Sequence, residues 1–249
     1  MAKNILFTVL CLCLIPQLAV AGPLEDLLAR NTKAVGGSEN WALISNVRVQ
    51  LDIVESDFRV SATYVATRQG SMRIDIQMDG KTAFSEGLHQ GKAWKWTPAG
   101  GTEGQDGPSA SALRNGIRFP GRFFTLQELH ENGTRVTLEG DLFEADRRQW
   151  RVRVTLDDGF SRDYFIDDET ALVVREHDRR AFHPSADPGE ILIETRKEEP
   201  AWSEGTLYYK ASQNINLQSG EWLATTRVNS IEHNIEIPEN HFLPPPVSE

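Results

Sequence analysis

The side chains that could do chemistry are few and scattered. Six histidines (His89, His130, His177, His183, His233 and His241) form neither an H-x-H nor an H-E-x-x-H pair. The spacing that puts two zinc ligands on one face is therefore not written here. Asp157-Asp158 and Asp167-Asp168-Glu169 are neighbouring carboxylates of the kind glycoside hydrolysis needs. Both fall between apolar runs, where Asp is a turn residue. Gly80-Lys81-Thr82 has the ending of a phosphate-binding loop, but Asp75 stands where the first glycine belongs and no helix pattern follows. Gly159-Phe160-Ser161 runs on into Arg162 and Asp163, so there is no nucleophile elbow. Asn132-Gly133-Thr134 is a glycosylation sequon and equally a turn signal. The expectation is a protein that is not an enzyme and has no metal or cofactor.

Composition narrows the partners. The chain has 249 residues, 39% hydrophobic, with 26 Lys+Arg against 36 Asp+Glu and a formal net charge of −10. It is too apolar for a disordered chain. Arg147-Arg148 and Arg179-Arg180 are isolated, so no nucleic-acid face and no general attraction to anionic bilayers is expected.

The start of the chain reads as an address. Lys3 precedes an uncharged apolar run from Ile5 to Ile15, Pro16 breaks it, and Ala19-Val20-Ala21 forms an A-x-A site. This is the pattern of a cleaved export signal over residues 1–21, too short to span a bilayer. Both cysteines, Cys11 and Cys13, lie inside it. Leu10 and Leu12 precede them, where a lipid attachment site has small residues. The exported chain is expected to be periplasmic, without cysteine, transmembrane helix or lipid anchor.

The elements behind the motifs follow from periodicity. Leu24, Leu27, Leu28, Ala34 and Val35 make one stripe of a helix over 23–35, stopped by Gly36-Gly37. Ser38 starts a short second helix carrying Trp41 and Ile44. The period then changes to two. Val49, Leu51 and Ile53 alternate with polar residues, as do Tyr64 with its neighbours, Met72, Ile74, Ile76 and Met78, Trp94 and Trp96, and later Val152 and Val154. Each run reads as an antiparallel strand with one buried face. Residues 98–107 break the pattern, and short helices are expected over 108–115 and 123–130, the latter with Phe123, Phe124 and Leu126 apolar. Strands resume to the end, with Trp222–Val228 and Ile231–Ile237 read as two. That makes ten or eleven strands in one meander, a single domain over 22–249. So many antiparallel strands must curl into a barrel or bent sheet to hide their apolar face. The pattern alone leaves two outcomes open, a filled core or a ligand cavity. A continuous apolar cavity above about 300 Å³ would distinguish them.

Several segments resemble the superfamily of periplasmic lipoprotein-localisation factors, the LolA and LolB type. They are Ala34-Val35-Gly36-Gly37-Ser38-Glu39 with Trp41 and Ile44, Gln90-Gly91-Lys92-Ala93-Trp94-Lys95-Trp96-Thr97-Pro98, Phe165-Ile166-Asp167-Asp168-Glu169-Thr170, and Ile237-Pro238-Glu239-Asn240-His241-Phe242. The resemblance covers about Leu24 to Phe242. It implies a mainly β fold, an incomplete barrel of about 11 antiparallel strands with a lid of short helices. It implies a monomeric, soluble carrier of a lipid or lipoprotein acyl chain that meets inner- or outer-membrane proteins. The cavity wall would be Val49, Leu51, Ile53, Tyr64, Met72, Ile74, Ile76, Met78, Trp94, Trp96, Val152 and Val154. Arg68 stands where the family has an Arg bonded to its lid, here with Phe123, Phe124 and Leu126 as lid residues. Thr67 and Gln69 replace the family's Lys and Pro on either side of it. Related members are envelope-stress sensors, so an interaction module with a filled core is the other reading.

Overall fold

The computed structural model describes residues 22–119, 121, 123–184 and 186–245. The expected leader and its two cysteines lie outside them. Helix α1 (Pro23–Ala34) has Pro at its first turn and Glu25 and Asp26 at its positive end, and it buries Leu27 and Leu28. Helix α2 (Ser38–Ala42) follows a corner at Gly36. Gly36 has φ +117°, and a Cβ there would sit 2.1 Å from the Gly205 carbonyl oxygen. Only glycine lets this corner seat on the hairpin that carries Gly205. The Leu207 amide donates to the Val35 carbonyl at the same junction.

Six strands come next: β1 (Asn46–Val54), β2 (Arg59–Thr67), β3 (Met72–Met78), β4 (Lys81–His89), β5 (Lys92–Thr97) and β6 (Gly101–Gln105). Helices α3 (Gly107–Arg118) and α4 (Leu126–Glu131) interrupt them. Seven more follow: β7 (Arg135–Glu144), β8 (Arg147–Thr155), β9 (Ser161–Asp167), β10 (Val173–Ala181), β11 (Glu190–Ser203), β12 (Thr206–Asn216) and β13 (Trp222–His233).

All strands among the described residues belong to one open antiparallel sheet of 13 strands in the order β6-β5-β4-β3-β2-β1-β13-β12-β11-β10-β9-β8-β7. This corrects the single serial meander. The chain makes two meanders that meet at the β1–β13 pair, and α3 and α4 carry it from one sheet edge to the other. The strands differ from those expected at two places, in opposite directions and for local reasons. β6 forms inside the glycine-rich segment expected to break the pattern, pairing with β5 from Ala93–Gln105 to Thr97–Gly101. The two strands expected at the end are one, because the register slips between Gln50 and Leu51 of β1 and β13 absorbs Asn229 as a bulge. That bulge keeps Val228 and Ile231 on the same packed face despite their odd spacing.

Helix α4 starts three residues later than expected. The Thr125 hydroxyl accepts from the Glu128 amide at 3.1 Å, so Thr125 caps the helix and Phe123 and Phe124 precede it. The T-x-x-E signature was there to read.

Candidate ligand cavity

Two apolar clusters fill the helix-bearing face. One gathers Val47, Val49, Leu51, Ala62, Ala66, Met72 and Leu88 from β1–β4 under Trp41, Leu113, Ile117 and Phe123. The other gathers Val136, Val152, Val154, Tyr164 and Ile166 from β7–β9 under Leu27, Leu28, Phe119, Leu126 and Leu129. Phe124 packs against both. Between them lies a cavity of about 210 Å³. Its roof is Asn31, Val35, Trp41, Phe119, Phe124 and Leu126. Its floor comes from β1 (Val49, Leu51), β13 (Val228, Ile231), β12 (Leu207, Tyr209, Ala211) and the charged middle of β9–β11.

The sequence-expected wall is thus divided. Val49, Leu51, Phe124 and Leu126 reach the cavity. Tyr64, Met72, Ile74, Ile76 and Ile53 share the apolar face but belong to the first cluster, and Val152 and Val154 are fully buried in the second. Met78 sits at the β3–β4 hairpin and is exposed. Trp94 and Trp96 face the other way. Met72 pairs with Leu88 and Leu88 with Ala93, whereas Arg73 pairs with Gly87 and Gly87 with Trp94. Paired residues share a face and neighbours alternate, so both tryptophans point away from the helices. The Trp94 ring lies on Gly87, its Nε1 donates to the Phe242 carbonyl at 2.9 Å, and the Arg73 guanidinium stacks 5.5 Å from its centre. It anchors the C-terminal segment on the outer face. Alternation shows that two residues share a face but not which face of the sheet it is.

Arg68 ties the roof down. It follows β2, in the hairpin to β3, and its Nη1 donates to the Trp41 carbonyl at 3.1 Å and to the Phe123 carbonyl at 2.6 Å. Its Nη2 pairs with Glu128 of α4, and its guanidinium lies 4.7 Å from the Phe124 ring centre. One side chain therefore connects the sheet to α2, to the segment before α4 and to α4 itself.

The polar wall escaped sequence reasoning. Arg162 on β9 bonds Asp178 at 2.6 Å and Glu176 at 3.3 Å, both on β10. Lys197 on β11 bonds Glu176 at 2.9 Å, and Arg180 bonds Asp178 at 2.9 Å. Arg162, Glu176 and Lys197 line the cavity. Burial opposes the charge on Arg162, but Tyr164, Glu176 and Asp178 outweigh it and raise its pKa. Burial likewise opposes the Glu176 carboxylate, and Lys197 and Arg162 overcome it and lower its pKa. The Tyr164 hydroxyl, on a residue 1% exposed, accepts from Arg162. Burial pushes that phenol well above its ordinary value, with Arg162 pulling the other way. In an amphipathic strand such charges look like solvent-facing residues, which is why they were not singled out.

The paired carboxylates are held in turns and ion pairs. Asp167 accepts from the Thr170 amide and hydroxyl, each at 2.8 Å, and Asp168 accepts from Trp150 Nε1 at 2.7 Å. Asp157 pairs with Arg118 at 3.0 Å, and Asp158 accepts from the Phe160 amide. No group of three His, Cys, Asp or Glu among the described residues has metal-binding geometry. No helix among them is long and apolar enough to cross a membrane.

Among solved structures, the fold is similar to a DUF1329 family protein from Desulfovibrio piger, with TM-score 0.58 and 10% identity over 89% of this chain and 98% of that one. It is similar to a LolA superfamily protein from Nitrosomonas europaea, with TM-score 0.57 and 9% identity over 88% and 96%. A domain named for outer-membrane lipoprotein sorting, from Vibrio parahaemolyticus, matches with TM-score 0.56 and 10% identity over 88% and 95%. No protein-family model and no curated protein matches the sequence. At these identities the likeness is one of fold, and the chain has a LolA-like fold.

Proposed function

We propose that the protein is a non-enzymatic, soluble carrier or binder of lipid or lipoprotein acyl chains in the periplasm, exported by residues 1–21. The carrying observation is the roofed cavity between the two clusters, held shut through Arg68. An acyl chain in water is unfavourable by about 0.8 kcal/mol per exposed CH₂, so an apolar recess on a water-soluble protein is a place to hold it. Exchange needs a roof that opens, and Arg68 is the contact whose loss would favour opening. The Vibrio neighbour's name, lipoprotein sorting, supports the same reading. The cavity, at about 210 Å³, is below the 300 Å³ expected of an open ligand site. It holds part of one chain, and more space requires α4 and the preceding segment to lift.

That small volume also favours a second reading, an envelope interaction module with a filled interior. One experiment separates the two. The protein is purified from a membrane-containing bacterial host, extracted with organic solvent and analysed by mass spectrometry, and a fluorescent fatty acid is titrated into it. Co-purified lipid or saturable binding supports the carrier. Neither, at micromolar protein, leaves the interaction module.

A further inference from the structure

Buried ion pairs are poor stabilisers, because desolvation offsets most of the attraction. A sheet needing only a core would do as well with apolar residues at 162, 176, 178 and 197. Here the charged residues sit at the cavity instead, and three of them line it.

Their bonding leaves specific capacity unused. Arg162 spends its donors on Asp178 and Glu176. Lys197 bonds Glu176, and an ammonium group has three donors. The Tyr164 hydroxyl accepts from Arg162, which leaves its own proton free to donate. Both free donors belong to residues of the cavity lining. The five charged groups, Arg162, Arg180 and Lys197 against Glu176 and Asp178, carry one excess positive charge. In a site shielded from water that excess counts for more than on a surface.

We propose that the cavity receives the head of an amphiphile and that the head is a carboxylate, accepting from Lys197 and Tyr164 beside Arg162, with the first part of the chain against Leu207, Val228 and Leu51. This rests on the acyl-chain reading above and assigns it a ligand class and an orientation. A cationic head meets the excess positive charge. An uncharged hydroxyl head leaves it uncompensated. A phosphate needs more donors than the two left free. The phenol stays protonated at neutral pH and is available to donate.

The test uses three amphiphiles with one ten-carbon tail, decanoate, decan-1-ol and decyltrimethylammonium, titrated into the protein by calorimetry at pH 7.5. Decanoate is expected to bind about tenfold or more tighter than decanol, the size of one charge-assisted hydrogen bond, and the cation weakest. Tyr164→Phe and Lys197→Gln should each lower the decanoate-to-decanol ratio at least about threefold. Tyr164→Phe keeps the buried ring and removes only the hydroxyl, so a melting temperature close to the parent's separates recognition from folding. Equal binding of decanoate and decanol, or an unchanged ratio in both variants, overturns the carboxylate seat and leaves the acyl-chain reading standing. Binding of none of the three overturns both.

Discussion

The two halves of the helix-bearing face are built from different material. From β1 to β4 it is apolar and close-packed, and Phe123 closes it with no exposed surface. From β9 to β11 the same face carries Arg162, Glu176, Asp178 and Lys197, and the space next to them is open. The same short helices cover both. The difference teaches that the first half is packed as a core, while the second leaves buried polar groups beside an unfilled space.

The largest effect expected from breaking this contrast is in the filled half. Phe123→Ala should cost about 3–5 kcal/mol in denaturant unfolding, because a fully buried ring leaves a cavity that the sheet cannot collapse into. Next comes the tie between roof and sheet. Arg68→Met leaves the Trp41 and Phe123 carbonyls and Glu128 without their donor, at about 1–3 kcal/mol. Amide exchange in residues 123–131 should accelerate more than in β1, which hydrogen–deuterium exchange reads directly. Equal acceleration in both places would mean that Arg68 is not a local latch.

Acid should separate the two ends of the sheet by sign. On β11, hydrogen bonding from His177, with Arg196 adding to it, holds the Glu194 carboxyl at about 2. Its folded pKa lies below the unfolded value, so its stabilisation is present above about pH 4.5 and is lost as pH falls towards 2. On β4, burial pushes the Glu86 carboxyl up. Its contribution has the opposite sign, favouring the fold below its unfolded pKa and disappearing as pH rises through the folded one. Unfolding free energies measured between pH 2 and 7 should therefore lose part of their acid slope in Glu194→Gln. Glu86→Gln should gain stability at neutral pH. The smallest effect is that of Tyr164→Phe, within about 0.5 kcal/mol of the parent.

Most of the elements could be read from the sequence, because period-two runs such as Met72-Ile74-Ile76 and the stripe of α1 report local geometry. The Thr125 cap was equally readable, although the expected helix began too early. The strand order could not be read. Nothing local says that β1 pairs with β13, and that pairing decides what lies under the roof. For the same reason Trp94 and Trp96 were assigned to the wrong face. Their alternation was right, but the side depends on the registry of β3, β4 and β5 together. The polar wall was hidden because Arg162, Glu176 and Lys197 lie on three separate strands, and each looks like an ordinary solvent-facing charge until the sheet puts them side by side.

The account stands on a guest entering between the two halves. Titrating decanoate into ¹⁵N,¹³C-labelled protein and following chemical shifts tests this most directly. The account predicts saturable shifts at Leu51, Leu207, Ala211 and Val228, and none at the Trp94 and Trp96 indoles on the outer face. Shifts confined to the outer face, or no saturable shifts at all, would contradict it.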